Sequence, residues 1–131
     1  MLLIISGDID EASGFGEIIT DFYGPTKRHF LQKNYGSGIE SIVIVLMCHM
    51  PSLTLKRRVR FSKKDKMLSF DMIFDLGQMQ QLDHLRRKQK IIEAILVDTP
   101  AILRKYSIPN FDEKHFMEDF TIWLESQTSA N

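Results

Sequence analysis

Few residues in this chain could carry out nucleophilic chemistry. Cys48 is the single cysteine and lies within an apolar run, directly before His49. A nucleophilic thiol needs access to solvent and a base within reach. Adjacent side chains on a strand point to opposite faces, so His49 is not expected to activate Cys48. A structural role is the favoured interpretation of this cysteine, and no catalytic residue is assigned.

The histidines and glycines do not form a metal or phosphate motif. The histidines at positions 29, 49, 84 and 115 are scattered, without a His-x-x-x-His pair. Gly14-Phe15-Gly16 lacks the third glycine of a dinucleotide-binding loop. A cluster near the C-terminus allows a weak cation site: Asp112, Glu113, His115, Glu118 and Asp119. The acidic first turn of a helix explains Asp112 and Glu113 more simply, and solvation explains the other three residues. We therefore predict no cofactor, no metal and no enzyme activity.

Acidic residues dominate the first part of the chain. Seventeen basic and seventeen acidic residues cancel overall, but residues 1–24 contain five carboxylates and no lysine or arginine, a local charge of −5. Such a surface suits docking onto a basic protein, because complementary charge increases association rate and specificity. Simple solvation is the other interpretation. The predicted partner-binding residues are Asp8, Asp10, Glu11, Glu17 and Asp21.

Basic residues dominate a second segment, residues 53–66, which has seven lysines and arginines against Asp65. Cations along one strand can follow a phosphate backbone, so a nucleic-acid-binding module is an alternative function. The segment lacks interleaved aromatic residues for base stacking, and the whole chain is not basic. A solvated face whose lysines discourage pairing between sheet edges is the simpler interpretation. The nucleic-acid alternative would use Lys56, Arg58, Arg60, Lys63 and Lys64.

The basic segment is also the first strand of a predicted hairpin. Apolar and polar residues alternate over residues 53–61 and again over 67–75, with residues 62–66 as the turn. If Phe61 is paired with Leu68, then Val59 is paired with Phe70 on the inside and Arg58 with Asp71 on the outside. One register therefore satisfies both faces of the hairpin.

The remaining pattern predicts an α+β fold in the order β-α-β-β-β-α-α. We expect a sheet of about four strands, mainly antiparallel, with helices packed on one face. Two short helices or one bent helix are expected between residues 10 and 34, where Gly24-Pro25 interrupts the pattern. Asp112 is placed to cap a last helix that ends near Ser126. The other predicted elements are strands over 2–6 and 39–49, a helix over 78–97, and a frayed tail over 127–131. After residue 97, Asp98-Thr99-Pro100 either caps a new helix with the proline in its first turn or kinks a continuing helix that runs to about Tyr106.

Length and composition indicate one globular domain over residues 1–131. The lone cysteine suits a reducing compartment. The apolar run at residues 1–5 has no basic segment before it and is too short to span a membrane. We expect a cytoplasmic protein.

Several of these segments together resemble a known family. They are Ile4-Ile5-Ser6-Gly7-Asp8-Ile9-Asp10, Tyr35-Gly36-Ser37-Gly38-Ile39-Glu40, Met50-Pro51, Lys63-Lys64-Asp65-Lys66 before Leu68-Ser69-Phe70-Asp71, Arg104-Lys105-Tyr106, and Ile108-Pro109-Asn110-Phe111-Asp112. In this order they resemble the small immunity proteins of bacterial polymorphic-toxin and contact-dependent growth-inhibition systems. The resemblance spans almost the whole chain.

The resemblance implies a cytoplasmic antidote that binds one cognate toxin domain, often a nuclease, and blocks its active site or its access to substrate. It implies no catalytic residue, no membrane partner and no small-molecule substrate, and it supplies no binding motif. The choice of the five acidic residues therefore rests on charge alone. A small enzyme of another type is a third alternative, for which a pocket holding His115 or Cys48 beside carboxylates would be the sign.

Overall fold

The structure is a computed structural model that describes residues 1–7, 26–49 and 57–129. These residues form a five-stranded sheet and three helices. The strands are β1 (Leu2–Gly7), β2 (Thr26–Phe30), β3 (Ser41–His49), β4 (Val59–Ser62) and β5 (Met67–Asp75), and the helices are α1 (Leu76–Gln81), α2 (His84–Tyr106) and α3 (Glu113–Ser129).

The sheet is mixed, with the strand order β2-β1-β3-β5-β4. The three central strands are parallel to one another, and each edge strand is antiparallel to its neighbour. The expected α+β class is confirmed, but the sheet has five strands rather than about four and is mixed rather than mainly antiparallel. The apolar β5 lies beside β3 in the interior of the sheet, and the short, charged β4 forms the edge, where its charges face water.

Strand β2, which the sequence analysis did not predict, lies where a helix was expected. Its five residues pair with β1, with Leu3 opposite His29, and exposure alternates from Lys27 to Phe30. The local sequence predicts a strand only weakly here, and the residues that pair with it lie 20 to 28 positions earlier in the chain. Tertiary pairing overrides the weak local preference. The predicted helix before it, and Gly24-Pro25, lie outside the described residues.

The predicted hairpin register is confirmed. Phe61 pairs with Leu68, and Val59 pairs with Phe70. The part of the first strand over residues 53–56 lies outside the described residues. One prediction needs correction: Arg58 is exposed as expected, but its partner Asp71 is buried.

The hydrophobic core lies against the face of the sheet that presents Leu3, Ile42 and Leu68 side by side. Helix α3 lies on this face, since Trp123 stacks on His29, the partner of Leu3. Burial of this apolar face against the helices is the main stabilising contribution. The fully buried large residues of this core include Ile5, Ile44, Leu46, Phe70, Phe116 and Phe120.

Helix boundaries follow from capping side chains. Asp83 Oδ1 accepts a hydrogen bond from the Arg86 backbone N–H, so a new helix starts there and the predicted helix over residues 78–97 is divided. Helix α2 then continues through Pro100 to Tyr106, the second of the two outcomes that the sequence allowed. Asp112 Oδ1 accepts from the His115 N–H, which confirms the predicted cap of α3.

Candidate protein-docking site

Three segments meet at the end of the sheet where the parallel strands begin. They are residues 34–40, 62–66 and 107–112, and we call this region the loop end. Backbone hydrogen bonds join them: Glu40 N–H donates to Lys66 O at 2.8 Å, and Asp112 N–H donates to Tyr35 O at 2.8 Å. Segments distant in sequence therefore form one continuous surface.

Left-handed backbone is concentrated at the loop end. Every described residue with positive φ lies in it: Tyr35, Gly36, Lys66, Ser107 and Asn110. For a residue other than glycine this conformation costs about 1 kcal/mol or more, and it persists only where surrounding contacts hold it. At Gly36, with φ of 75°, an added Cβ would lie 2.6 Å from the backbone oxygen of Asn110. The loops are thus closely packed and held in defined conformations.

A groove of about 330 Å³ opens between the β4–β5 turn and the loop that joins α2 to α3. Phe61, at 42% exposure, lies beside Ile108 and Pro109, and two lysines complete the rim. We call it the lysine-rimmed groove and define it by Ile39, Phe61, Lys63, Lys66, Ile108 and Pro109. It offers an apolar surface with a basic border.

A second cleft, of about 610 Å³, lies on the other side of Gly36 and Asn110 and is lined by Tyr35, Asp112 and His115. The His115 Nδ1 atom contacts Asp112 Oδ2, and this hydrogen bond lowers the pKa of the Asp112 carboxyl. Burial and Asp119, to which the Tyr35 hydroxyl donates at 2.6 Å, raise the pKa of the Tyr35 phenol. Both hydrogen bonds join α3 to the loop end: His115 of α3 contacts Asp112, and Asp119 of α3 accepts from Tyr35.

This cleft holds a histidine beside a carboxylate, the sign expected for the enzyme alternative. A triad of the serine-hydrolase type also needs a serine, threonine or cysteine nucleophile beside the histidine. Among the residues that the structure describes, none of these three types lines the cleft. The Asp112 carboxylate also caps α3, which explains its position without catalysis. Within residues 1–7, 26–49 and 57–129, no group of three or more histidine, cysteine or acidic residues could hold a metal ion.

Cys48 is not placed for nucleophilic chemistry. It is 2% exposed in the core and lies opposite Phe74. Burial, with a smaller contribution from Asp75, raises the pKa of its thiol to about 12. The thiol therefore stays protonated at neutral pH, in agreement with a structural role.

The basic residues of the hairpin are partly neutralised. Arg58 Nε donates to Asp71 Oδ2 at 3.1 Å, and the neighbouring Arg57 pairs with Asp98 at 2.7 Å. Arg60, Lys63 and Lys64 are exposed, and Lys56 lies outside the described residues. Pairing within the protein leaves fewer cations for a phosphate backbone, which weakens the nucleic-acid alternative.

The five acidic residues predicted to bind a partner, Asp8, Asp10, Glu11, Glu17 and Asp21, all lie outside the described residues. The apolar part of the groove was missed by the sequence analysis. A phenylalanine at the end of an edge strand, followed by a lysine-rich turn, was the available signal. Because Ile108 and Pro109 come from a distant loop, their approach to Phe61 could not be read from the chain.

A family model described as immunity protein 44 matches residues 1–126 of the chain. Comparisons with curated proteins and with solved structures gave no match. Among the described residues, none of the helices is long and apolar enough to cross a membrane.

Proposed function

The chain belongs to the immunity protein 44 family, and we propose that it binds one cognate toxin domain and neutralises it by covering the toxin's active site or its access to substrate. The family match, which covers all but the last five residues, is the observation that carries this proposal. The loop end offers two open clefts, one of them an apolar groove with a basic border, as surfaces that a protein partner could contact. A toxin that enters the cell is neutralised where it acts, so we expect the protein to work in the cytoplasm.

We infer that the toxin is a nuclease. A nuclease cleft must attract phosphate and is therefore basic. The acidic stretch of Asp8, Asp10, Glu11, Glu17 and Asp21 has the complementary charge and would replace phosphate at that cleft. Reversing Asp8, Asp10 and Glu11 to lysine should slow association, most clearly at low ionic strength. Unchanged association kinetics would remove the acidic stretch from the interface.

The function is tested by expressing the toxin domain encoded by the adjacent gene with and without this protein. We expect restored growth and a stable complex of the two purified proteins. An unrelated toxin domain of the same activity is the control, since the protein should not relieve its toxicity. Absence of both rescue and complex contradicts the proposed function. Retention on a DNA column by the protein alone would then favour the nucleic-acid alternative.

A further inference from the structure

We propose that the lysine-rimmed groove is a docking site for the partner, and that it receives an acidic segment of the toxin domain carrying one apolar side chain. This inference rests on the proposed function and adds to it a contact surface and the chemistry of the segment bound there.

The apolar part of the groove includes a large hydrophobic side chain, Phe61, that is exposed to solvent. Phe61 pairs in register with Leu68, which is completely buried, yet Phe61 itself remains 42% exposed. Because β4 is the edge strand, the ring has a strand on only one side. Ile108 and Pro109 extend this apolar surface from the opposite wall. A volume of about 330 Å³ is at the low end of ligand sites, which suits one inserted side chain.

The charge around the groove determines which segment fits. Lys63 and Lys66 line it, Lys64 is exposed in the same turn, and none of the described residues that line it is acidic. The one carboxylate of the turn, Asp65, is hydrogen-bonded to the Ser62 hydroxyl. Lys66 pairs with Glu40 at 3.3 Å, but both side chains are more than half exposed, so a partner's carboxylate can replace Glu40 at little cost.

The groove is preorganised. Its wall contains Gly36 and Asn110, whose backbones are in contact, and Lys66 O accepts from the Glu40 N–H. A surface held in its bound shape loses little conformational entropy on association. An apolar anchor in a rigid pocket with a charged border is the arrangement that concentrates binding energy in protein interfaces.

The test uses the complex with the toxin domain from the adjacent gene, and it compares two groove variants with two matched controls. Phe61→Ala removes the apolar surface, and the double variant Lys63→Glu with Lys66→Glu reverses the border. Ile122→Ala is matched to Phe61, because Ile122 is also apolar and is 71% exposed on α3. Lys114→Glu reverses an exposed lysine away from the groove. Circular dichroism and thermal unfolding establish that each variant is folded.

We expect Phe61→Ala to raise the dissociation constant about tenfold, mainly through faster dissociation. The double lysine variant should slow association about tenfold at low ionic strength and less at high ionic strength, because salt screens the attraction. Both controls should bind within about twofold of the wild-type protein.

Each failure has a distinct meaning. If the wild-type protein binds the toxin and both groove variants bind equally well, the groove proposal is overturned and the proposed function stands. If the wild-type protein neither binds nor rescues, the proposed function is overturned, and the assignment of the groove to a toxin falls with it. If the wild-type protein binds a short single-stranded DNA, the double lysine variant does not, and neither groove variant changes toxin binding, then the groove contacts phosphate and an acidic segment of the toxin is excluded.

Discussion

Arg58 and Asp71 face each other across the β4–β5 hairpin and bind each other three times. Arg58 Nε and the Arg58 backbone N–H both donate to Asp71 Oδ2, at 3.1 and 3.3 Å, and the Asp71 N–H donates to Arg58 O at 3.0 Å. The Asp71 side chain is only 8% exposed, whereas that of Arg58 is 60% exposed. The arginine therefore supplies a hydrogen bond to a carboxylate that water hardly reaches.

Replacing Arg58 should consequently destabilise the fold. In Arg58→Ala the buried Asp71 carboxylate loses its side-chain donor, and we expect the free energy of unfolding to fall by about 1–2 kcal/mol, allowing for the exposure of Arg58. Arg60→Ala is the matched control, since Arg60 is exposed on the same strand and should change stability by less than about 0.5 kcal/mol. Urea denaturation measures both. Equal effects of the two substitutions would contradict the role given to Arg58.

Gly36 should not tolerate a side chain, whereas Gly38 should. Gly36→Ala places a Cβ against the Asn110 backbone and fixes a left-handed conformation, so we expect a loss of about 1–3 kcal/mol in stability. At Gly38 a Cβ meets nothing within 4 Å. Gly38→Ala should therefore be neutral or stabilising by about 0.5 kcal/mol, because it restricts the unfolded chain. Thermal unfolding of the two variants, Gly36→Ala and Gly38→Ala, measures the difference. Similar melting temperatures would contradict the close packing of the loop end.

The hydroxyl of Thr99 is buried, and removing it should raise the stability of the protein. Within the part of the chain that the structure describes, its Oγ1 has no hydrogen-bond partner, and the residue is completely buried in α2. Thr99→Val keeps the shape and removes the unsatisfied group, so we expect stability to rise by about 1 kcal/mol. Thr99→Ser is the control, since it keeps the hydroxyl and loses a methyl group and should destabilise. A valine variant that melts below the wild type would show that the hydroxyl is satisfied in solution.

The Cys48 thiol should react only when the protein unfolds. Its pKa is about 12 in the folded protein and 9.0 ordinarily, so at mildly alkaline pH the folded state holds about a thousandfold less thiolate. The folded state also keeps its proton where the unfolded state loses it. The contribution of the Cys48 thiol to the free energy of unfolding is thus fully present below pH 9, and it declines as pH rises toward 12. We expect a thiol reagent to modify Cys48 only as fast as the protein unfolds, so the modification rate should increase with added denaturant. Rapid modification of the native protein would contradict the buried position of Cys48.

The chain alone determined the local features of the fold. Alternating apolar residues specified β5 and the β4–β5 hairpin, and because the side-chain period of a strand is two, they also specified the Phe61–Leu68 register. Asp112 was identified as the cap of α3 because a carboxylate three residues before a backbone N–H can accept from it. These features depend on residues close in sequence, so their pattern is visible in it.

Tertiary structure decided the features that join distant segments. The strand at Thr26–Phe30 exists because β1 pairs with it, and β5 lies in the interior of the sheet, between β3 and β4, because its apolar residues require neighbours on both sides. The groove has the same origin. Phe61, Lys66 and Ile108 come from three segments whose approach depends on backbone hydrogen bonds and on the contact between Gly36 and Asn110. No period or spacing in a single segment encodes such a surface, because the contacts that form it exist only in the folded chain.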